Sequence, residues 1–289
     1  MRKGVFVIVT IVVLMMMTAT GCSTKGDGDA DSVDTTQTDS DTTQTTAVDS
    51  IIAATPVPKA ADMLFDDFVF NFAANRKMQM ERIMFPLTMT ENGKERKVES
   101  RQWRMDHLFM HQQFYTIVAG SRGELKCAKD TSIKVVMVEQ LCYARKEVKK
   151  YSFRRIDGLW RLAQLRIMPM SKHRDAGFLE FYYKFVTDNN FQQTALADEI
   201  AFSGPDPEDD LSSMDGTLMP EQWPAFAPGM PDDFETFING EGIFSITYGE
   251  SHKSNNVRIV DIRGIANGME LEYTFRKTDK GWVLVKCVS

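Results

Sequence analysis

The chain has 289 residues, a formal net charge of −6, 43% hydrophobic residues and four cysteines. An acidic balance excludes the basic footprint that nucleic-acid binding demands, and so few cysteines over this length exclude a small scaffold held by disulfides. Enough apolar content remains to build more than one modest core.

In chain order, Arg2 and Lys3 precede an apolar run, Val5 to Met17, broken only by Thr10, and then come Thr18-Ala19-Thr20-Gly21-Cys22. A basic start, a greasy centre too short to span a bilayer and small residues before a cut site predict a signal peptide over 1–21. The ending Ala19-Thr20-Gly21-Cys22 resembles a bacterial lipobox, with Ala19 where Leu is usual. That resemblance implies that Cys22 receives a lipid and anchors the chain to a membrane. Ser23 and Thr24 put no aspartate directly after the cysteine, and Lys25 followed by Asp27, Asp29 and Asp31 is similar to the surface-export signal of Bacteroidota lipoproteins. The expected location is therefore the outer membrane, on its periplasmic side or at the cell surface. Residues 22–58 are Thr, Asp, Ser, Gln and Gly with almost no large apolar side chain, and predict a disordered acidic tether. As a flexible coil it reaches roughly 30–35 Å. Of the whole charge of −6, the leader holds +2 and the tether −6, leaving the body from Lys59 at −2.

The body opens with a helix: Leu64, Phe65, Phe68 and Phe72 share one face, Asp62 is placed to cap it, and Asp66 and Asp67 suit its positive end. A short second helix follows over Gln79–Met84, then extended chain at Phe85-Pro86-Leu87 and a hairpin turn at Glu91-Asn92-Gly93-Lys94. Another short helix is expected over Ser100–Met110, and then strands at Phe114–Val118, Ser132–Gln140, Lys149–Ile156 and Trp160–Ile167, the last two joined at Asp157-Gly158.

The rest of the chain repeats this. Asp62, Phe65, Phe68, Phe72 and Gln79 return 113 residues later as Asp175, Phe178, Phe181, Phe185 and Gln192. Gln102-Trp103 returns as Gln222-Trp223, Tyr115-Thr-Ile117 as Phe244-Ser-Ile246, and Tyr151-x-Phe153 with Trp160 as Tyr273-x-Phe275 with Trp282, at offsets of 120, 129 and 122. Constant order with changing offset means that the loops alone changed length. Strands are accordingly expected at Ile243–Tyr248, Val257–Arg263, Met269–Lys277 and Trp282–Val288. The segment from Phe202 through Pro205, Pro207 and the following acids to Pro231 departs from the first repeat and is expected to be a long loop.

A long aromatic helix, short helices and final strands ending in Asp-Gly-x-Trp or Asp-x-Gly-Trp resemble the nuclear transport factor 2-like, or cystatin-type cone, fold. Two copies behind a lipobox are similar to a family of Bacteroidota lipoproteins of unknown function. The resemblance implies an α+β fold of two tandem domains, 59–170 and 171–289, each a long helix packed in a curved antiparallel sheet. Its motifs are structural and transfer no activity.

Chemistry is sparse. Asp106-His107-x-x-x-His111 brings two imidazoles and a carboxylate together, but lacks the Glu of His-Glu-x-x-His and a third ligand, so neither a metal nor a catalytic site is expected there. Cys127, Cys142 and Cys287 are an odd set without a Cys-x-x-Cys pair; a Cys127–Cys142 bridge or buried thiols both fit. Trp103, Trp160, Trp223 and Trp282 form two equivalent pairs, which favours packing over ligand stacking. The basic run Arg145, Lys146, Lys149, Lys150, Arg154, Arg155, Arg161 and Arg166 alternates with apolar residues, as the wet face of a strand does. No cofactor is implied. The expected role is a non-enzymatic binding or scaffold module for a small molecule, glycan, peptide or envelope protein; the alternative is a cone-site enzyme of hydrolase, isomerase or dehydratase type with one active domain. Oligomeric state is not legible.

Overall fold

The computed structural model describes residues 62–289 apart from 207–208, 250–253 and 255, together with the side chains of 209–211. These residues belong to one compact unit, Thr45–Ser289. The expected leader, Cys22 and tether lie outside the described residues. The first repeat contains α1 (Phe65–Ala74), α2 (Arg76–Arg82), β1 (Ile83–Glu91), β2 (Lys94–Val98), β3 (Phe114–Ala119), α3 (Arg122–Lys126), β4 (Val135–Cys142), β5 (Glu147–Ile156) and β6 (Leu159–Pro169). The second contains α4 (Ala176–Thr187), α5 (Asn189–Thr194), β7 (Leu196–Asp206), β8 (Asp209–Leu218), α6 (Trp223–Phe226), α7 (Phe234–Asn239), β9 (Ile243–Tyr248), β10 (Val257–Gly264), β11 (Glu270–Thr278) and β12 (Gly281–Val288).

Local chemistry explains the elements. Asn75 and Asp188, again 113 apart, cap α2 and α5 by accepting from Met78 N and from Asn190 and Phe191 N. Asn92 and Gly93, at φ +49° and +85°, give the β1–β2 hairpin the left-handed pair that its twist requires. The repeated Gln-Trp motif also has a mechanical meaning. Gln102 and Gln222 each accept at 2.9 Å from a backbone N–H three residues earlier, Glu99 and Met219. Trp103 and Trp223 donate their indole N–H to Gln79 and Gln192 at 3.0 and 2.8 Å. Those glutamines donate back to Phe72 O and Phe185 O, tying each long helix to the following turn.

Among the described residues, all twelve strands lie in one sheet, ordered β2-β1-β6-β5-β4-β9-β3-β10-β11-β12-β7-β8. Two separate sheets were expected, and this is a correction. Read from its ends, each half has the same order, except that the third strands have changed places: β9 of the second repeat lies antiparallel to β4, and β3 of the first lies antiparallel to β10. At the centre β3 and β9 run parallel, with Thr116 opposite Ser245 and Ile117 opposite Ile246. Those partners are separated by the same 129 residues as the sequence repeat. Those partners face the same side, however, and the ladders Val138–Ile246 and Val260–Val118 make Val118 the structural counterpart of Ile246, an offset of 128, so the second half is turned over relative to the first.

Side-chain alternation bears this out. Along β3, Tyr115 and Ile117 enter the core of the first repeat and Phe114 that of the second; along β9, Phe244, Ile246 and Tyr248 enter the first and Ile243 the second. The long helices therefore cover opposite faces of opposite halves. The central strands are buried on both faces, which is why they are apolar at nearly every position. Such a strand fits either repeat, and nothing in its sequence says which it joins.

Further differences have local causes. The sheet is not purely antiparallel, since β1–β6 and β7–β12 are also parallel contacts. The expected Pro-rich loop begins as a long hairpin, β7–β8, with Ile200, Phe202 and Leu218 buried; its acidic outer strand is the free edge and carries no apolar signal. The short helix expected over Ser100–Met110 is two 3₁₀ turns, Ser100–Gln102 and Leu108–His111. Asp62 does not cap α1. Its carboxylate forms a two-pronged pair with Arg82 at 2.7 and 2.9 Å and accepts from Trp160 N.

Candidate binding surfaces

Both interiors are filled by rings. Phe65, Phe68 and Phe72 of α1 meet Phe153 at centroid distances of 5.3–5.8 Å, and Phe178, Phe181 and Phe185 of α4 meet Phe275 at 5.0–5.7 Å. Edge-on packing of this kind adds to area burial. The matching aromatics thus occupy equivalent places, as the repeat predicts.

Asp106, His107 and His111 do come together, beside a crevice of about 190 Å³ that Gln112, Glu241 and Phe244 also line. The Asp106 carboxylate is committed elsewhere: it takes hydrogen bonds from Lys149 Nζ at 2.7 Å, Tyr151 OH at 2.5 Å and Leu108 N at 3.1 Å. Burial pushes its pKa up, but Lys149 and Tyr151 outweigh this and hold it below the usual carboxylate range. Exposed His107 and His111 pack edge to face at 5.2 Å. Among the described residues no three His, Cys, Asp or Glu side chains are grouped to hold a metal. Cys127, Cys142 and Cys287 form no disulfide among the described residues, and the last two are buried, so the Cys127–Cys142 bridge is not formed.

Sequence reasoning missed two buried acids, Glu139 and Asp261, which occupy equivalent positions on β4 and β10 beside the exchanged strands. Their shared offset of 122 residues was the available signal. Glu139 faces Lys150 across β5 at 3.0 Å and approaches His173 Nε2 at 3.3 Å. Burial opposes ionisation, yet His173 and Lys150 bring its pKa down to about 2. Asp261 instead faces another acid, Glu272. Arg263 reaches Asp261 at 2.8 Å, and Arg122 grips Glu272 with both nitrogens. Burial dominates here and raises both carboxyls. Glu139 thus ties β4 to β5, and Glu272 ties β11 to α3.

Open concavities lie outside the interiors. A depression of about 500 Å³ on the sheet of the first repeat is lined by Val135, Met137, Ser152, Arg154, Ala163 and Gln164, among others. Their counterparts at offset 122, Val257, Ile259, Thr274, Arg276, Val285 and Lys286, line one of about 330 Å³ in the second, beside Arg122. The basic run divides accordingly: Arg154 and Arg166 are exposed, while Lys149 and Lys150 serve Asp106 and Glu139.

A third concavity, of about 830 Å³, runs beside α4 between Phe181, Phe191, Ala195, Asp198, Asp279 and Trp282. Here the tryptophans cease to be equivalent: Trp160 is 1% exposed, whereas Trp282 is half-buried and lines the groove. Trp282 nevertheless packs against the core, edge to face on Phe178 at 5.0 Å.

A family model described as Domain of unknown function (DUF4348) matches residues 44–289. A crystal structure of an NTF2-like protein from Bacteroides fragilis superposes with a TM-score of 0.67 at 33% identity, covering 81% of this chain and 98% of that one. No curated protein matches.

Proposed function

The chain belongs to the DUF4348 family, and on that premise we propose that it is an outer-membrane lipoprotein, anchored through Cys22, whose body is a non-enzymatic binding or scaffold module. In this reading residues 1–21 are removed, 22–58 form the tether, and 59–170 and 171–289 are two tandem nuclear transport factor 2-like domains with exchanged third strands. Its partner is a small molecule, glycan, peptide or envelope protein. The observation that carries the binding role is the contrast between interiors packed with aromatic rings and open concavities on the outer surfaces. The rival, an enzyme working inside one cone, needs space that Phe68, Phe72 and Phe153, or Phe181, Phe185 and Phe275, already fill.

A thermal-shift screen of the chain against envelope glycans, peptides and small molecules tests the binding role, since a ligand at one hundred times its Kd stabilises by about 2.7 kcal/mol. Stabilisation lost on filling an outer concavity supports it; turnover of a screened compound, abolished by substitutions inside a cone, defeats it. Metabolic labelling with a fatty-acid analogue tests the anchor, with label expected on the chain and absent from Cys22→Ala.

A further inference from the structure

Among the positions at which the two repeats differ beside α4, one removes a side chain from the groove. In the first, Arg82 ends α2 and lies back over the helix. Its Cζ stands 5.9 Å above the Phe68 ring, its nitrogens grip Asp62, and Nη1 donates to Trp160 O at 3.4 Å. In the second repeat the offset of 113 places Ala195 there. Structure supports that equivalence, because the next residues, Ile83 and Leu196, both begin strands and pair with Leu162 and Leu284. Phe68, Met78 and Trp160 correspond to Phe181, Phe191 and Trp282, three walls of the open groove.

The charge lost with the arginine is replaced from another direction. Asp175, the counterpart of Asp62, pairs with Arg258 of β10 at 2.5 Å, and that guanidinium stands 5.7 Å over Trp282. Arg258 thus neutralises Asp175 from inside the sheet and leaves the place above Phe181 open. What remains is the aromatic half of a guanidinium site, with Asp198 and Asp279 at its rim. Glu180 and Lys184 answer each other at 3.1 Å; Lys280 is the other rim cation. Aromatic faces with adjacent carboxylates attract a planar cation.

Resting on the reading of this groove as a binding site, we infer that it accepts an arginine side chain of a partner polypeptide, laid over Phe181 between Phe191 and Trp282 as Arg82 lies over Phe68. The probe is acetyl-arginine-amide, titrated into the full chain labelled with ¹⁵N at tryptophan, with the Trp282 indole signal identified by Trp282→Phe. A saturable shift of that signal is expected, at least tenfold weaker with acetyl-citrulline-amide, and lost in Ala195→Arg, which restores the first repeat's arrangement. Arg82→Ala gives an independent arm: it is expected to open a second site, so that acetyl-arginine-amide now also shifts Trp160. An equal response to citrulline or acetyl-norleucine-amide overturns the arginine assignment while leaving the groove a binding site. If no probe moves Trp282, or if Ala195→Arg folds and responds unchanged, the groove assignment itself fails.

Discussion

Gln79 and Gln192 show how much one repeated residue contributes. Each joins an indole N–H to a helix-end carbonyl, but Gln79 is fully buried and also accepts from Asp106 N, whereas Gln192 is half-buried. Replacing a buried partner costs the desolvation of the groups left behind, about 1–3 kcal/mol. Gln79→Leu is therefore expected to destabilise by about 2–3 kcal/mol and Gln192→Leu by roughly half as much, read from urea unfolding at constant m-value. That these glutamines matter was legible, since they recur in register with the phenylalanines. Their partnership with the tryptophans was not, because the contact joins residues 24 apart in one repeat and 31 in the other. Ala195 was silent for a related reason: an alanine in a repeat announces nothing until the arginine it replaces is seen holding Asp62.

Among the elements, a run of apolar residues places a strand even where both of its faces are buried. Ile243–Tyr248 was read with the observed ends, and the turns at Asn92-Gly93 and Asp157-Gly158 stand where their residue types put them. The β7–β8 hairpin escaped because residues 212–217 of its outer strand are exposed apart from half-buried Met214, so the two-residue period that betrays a strand is missing. The β4–β5 pair carries a prediction of its own. The folded pKa of Glu139, about 2, lies below its ordinary 4.5, so its ionised form favours the folded state. That contribution is complete above about pH 4.5 and vanishes as pH falls toward 2. It amounts to about 3 kcal/mol by the linkage relation. Glu139→Gln should flatten this acid limb in unfolding curves taken from pH 5 to 2. Asp261 and Glu272, raised by burial, act in the other sense, favouring the folded state more as they protonate.

For the whole molecule, the repeat and the fold class are legible in the sequence, and the NTF2-like neighbour agrees with the fold class. The exchange of third strands was not, since both destinations offer the same register and the same apolar neighbours. It is testable directly. Met137 of β4 lies opposite Thr247 of β9, and the counterpart of Met137 in the second repeat is Ile259. Oxidation should lock Met137→Cys with Thr247→Cys into an intrachain disulfide, visible as a mobility shift that neither single variant gives. Cross-linking of Ile259→Cys with Thr247→Cys instead would mean that each repeat keeps its own third strand. With the exchange in place, β3 completes the half that α4 covers and β9 the half that α1 covers, so the halves are expected to melt in one transition.

The turned-over sheet has a final implication. Because α1 and α4 shield opposite sides, the two related depressions, at Arg154 and at Arg276, look away from each other. A body built in this way presents a front and a back of like construction.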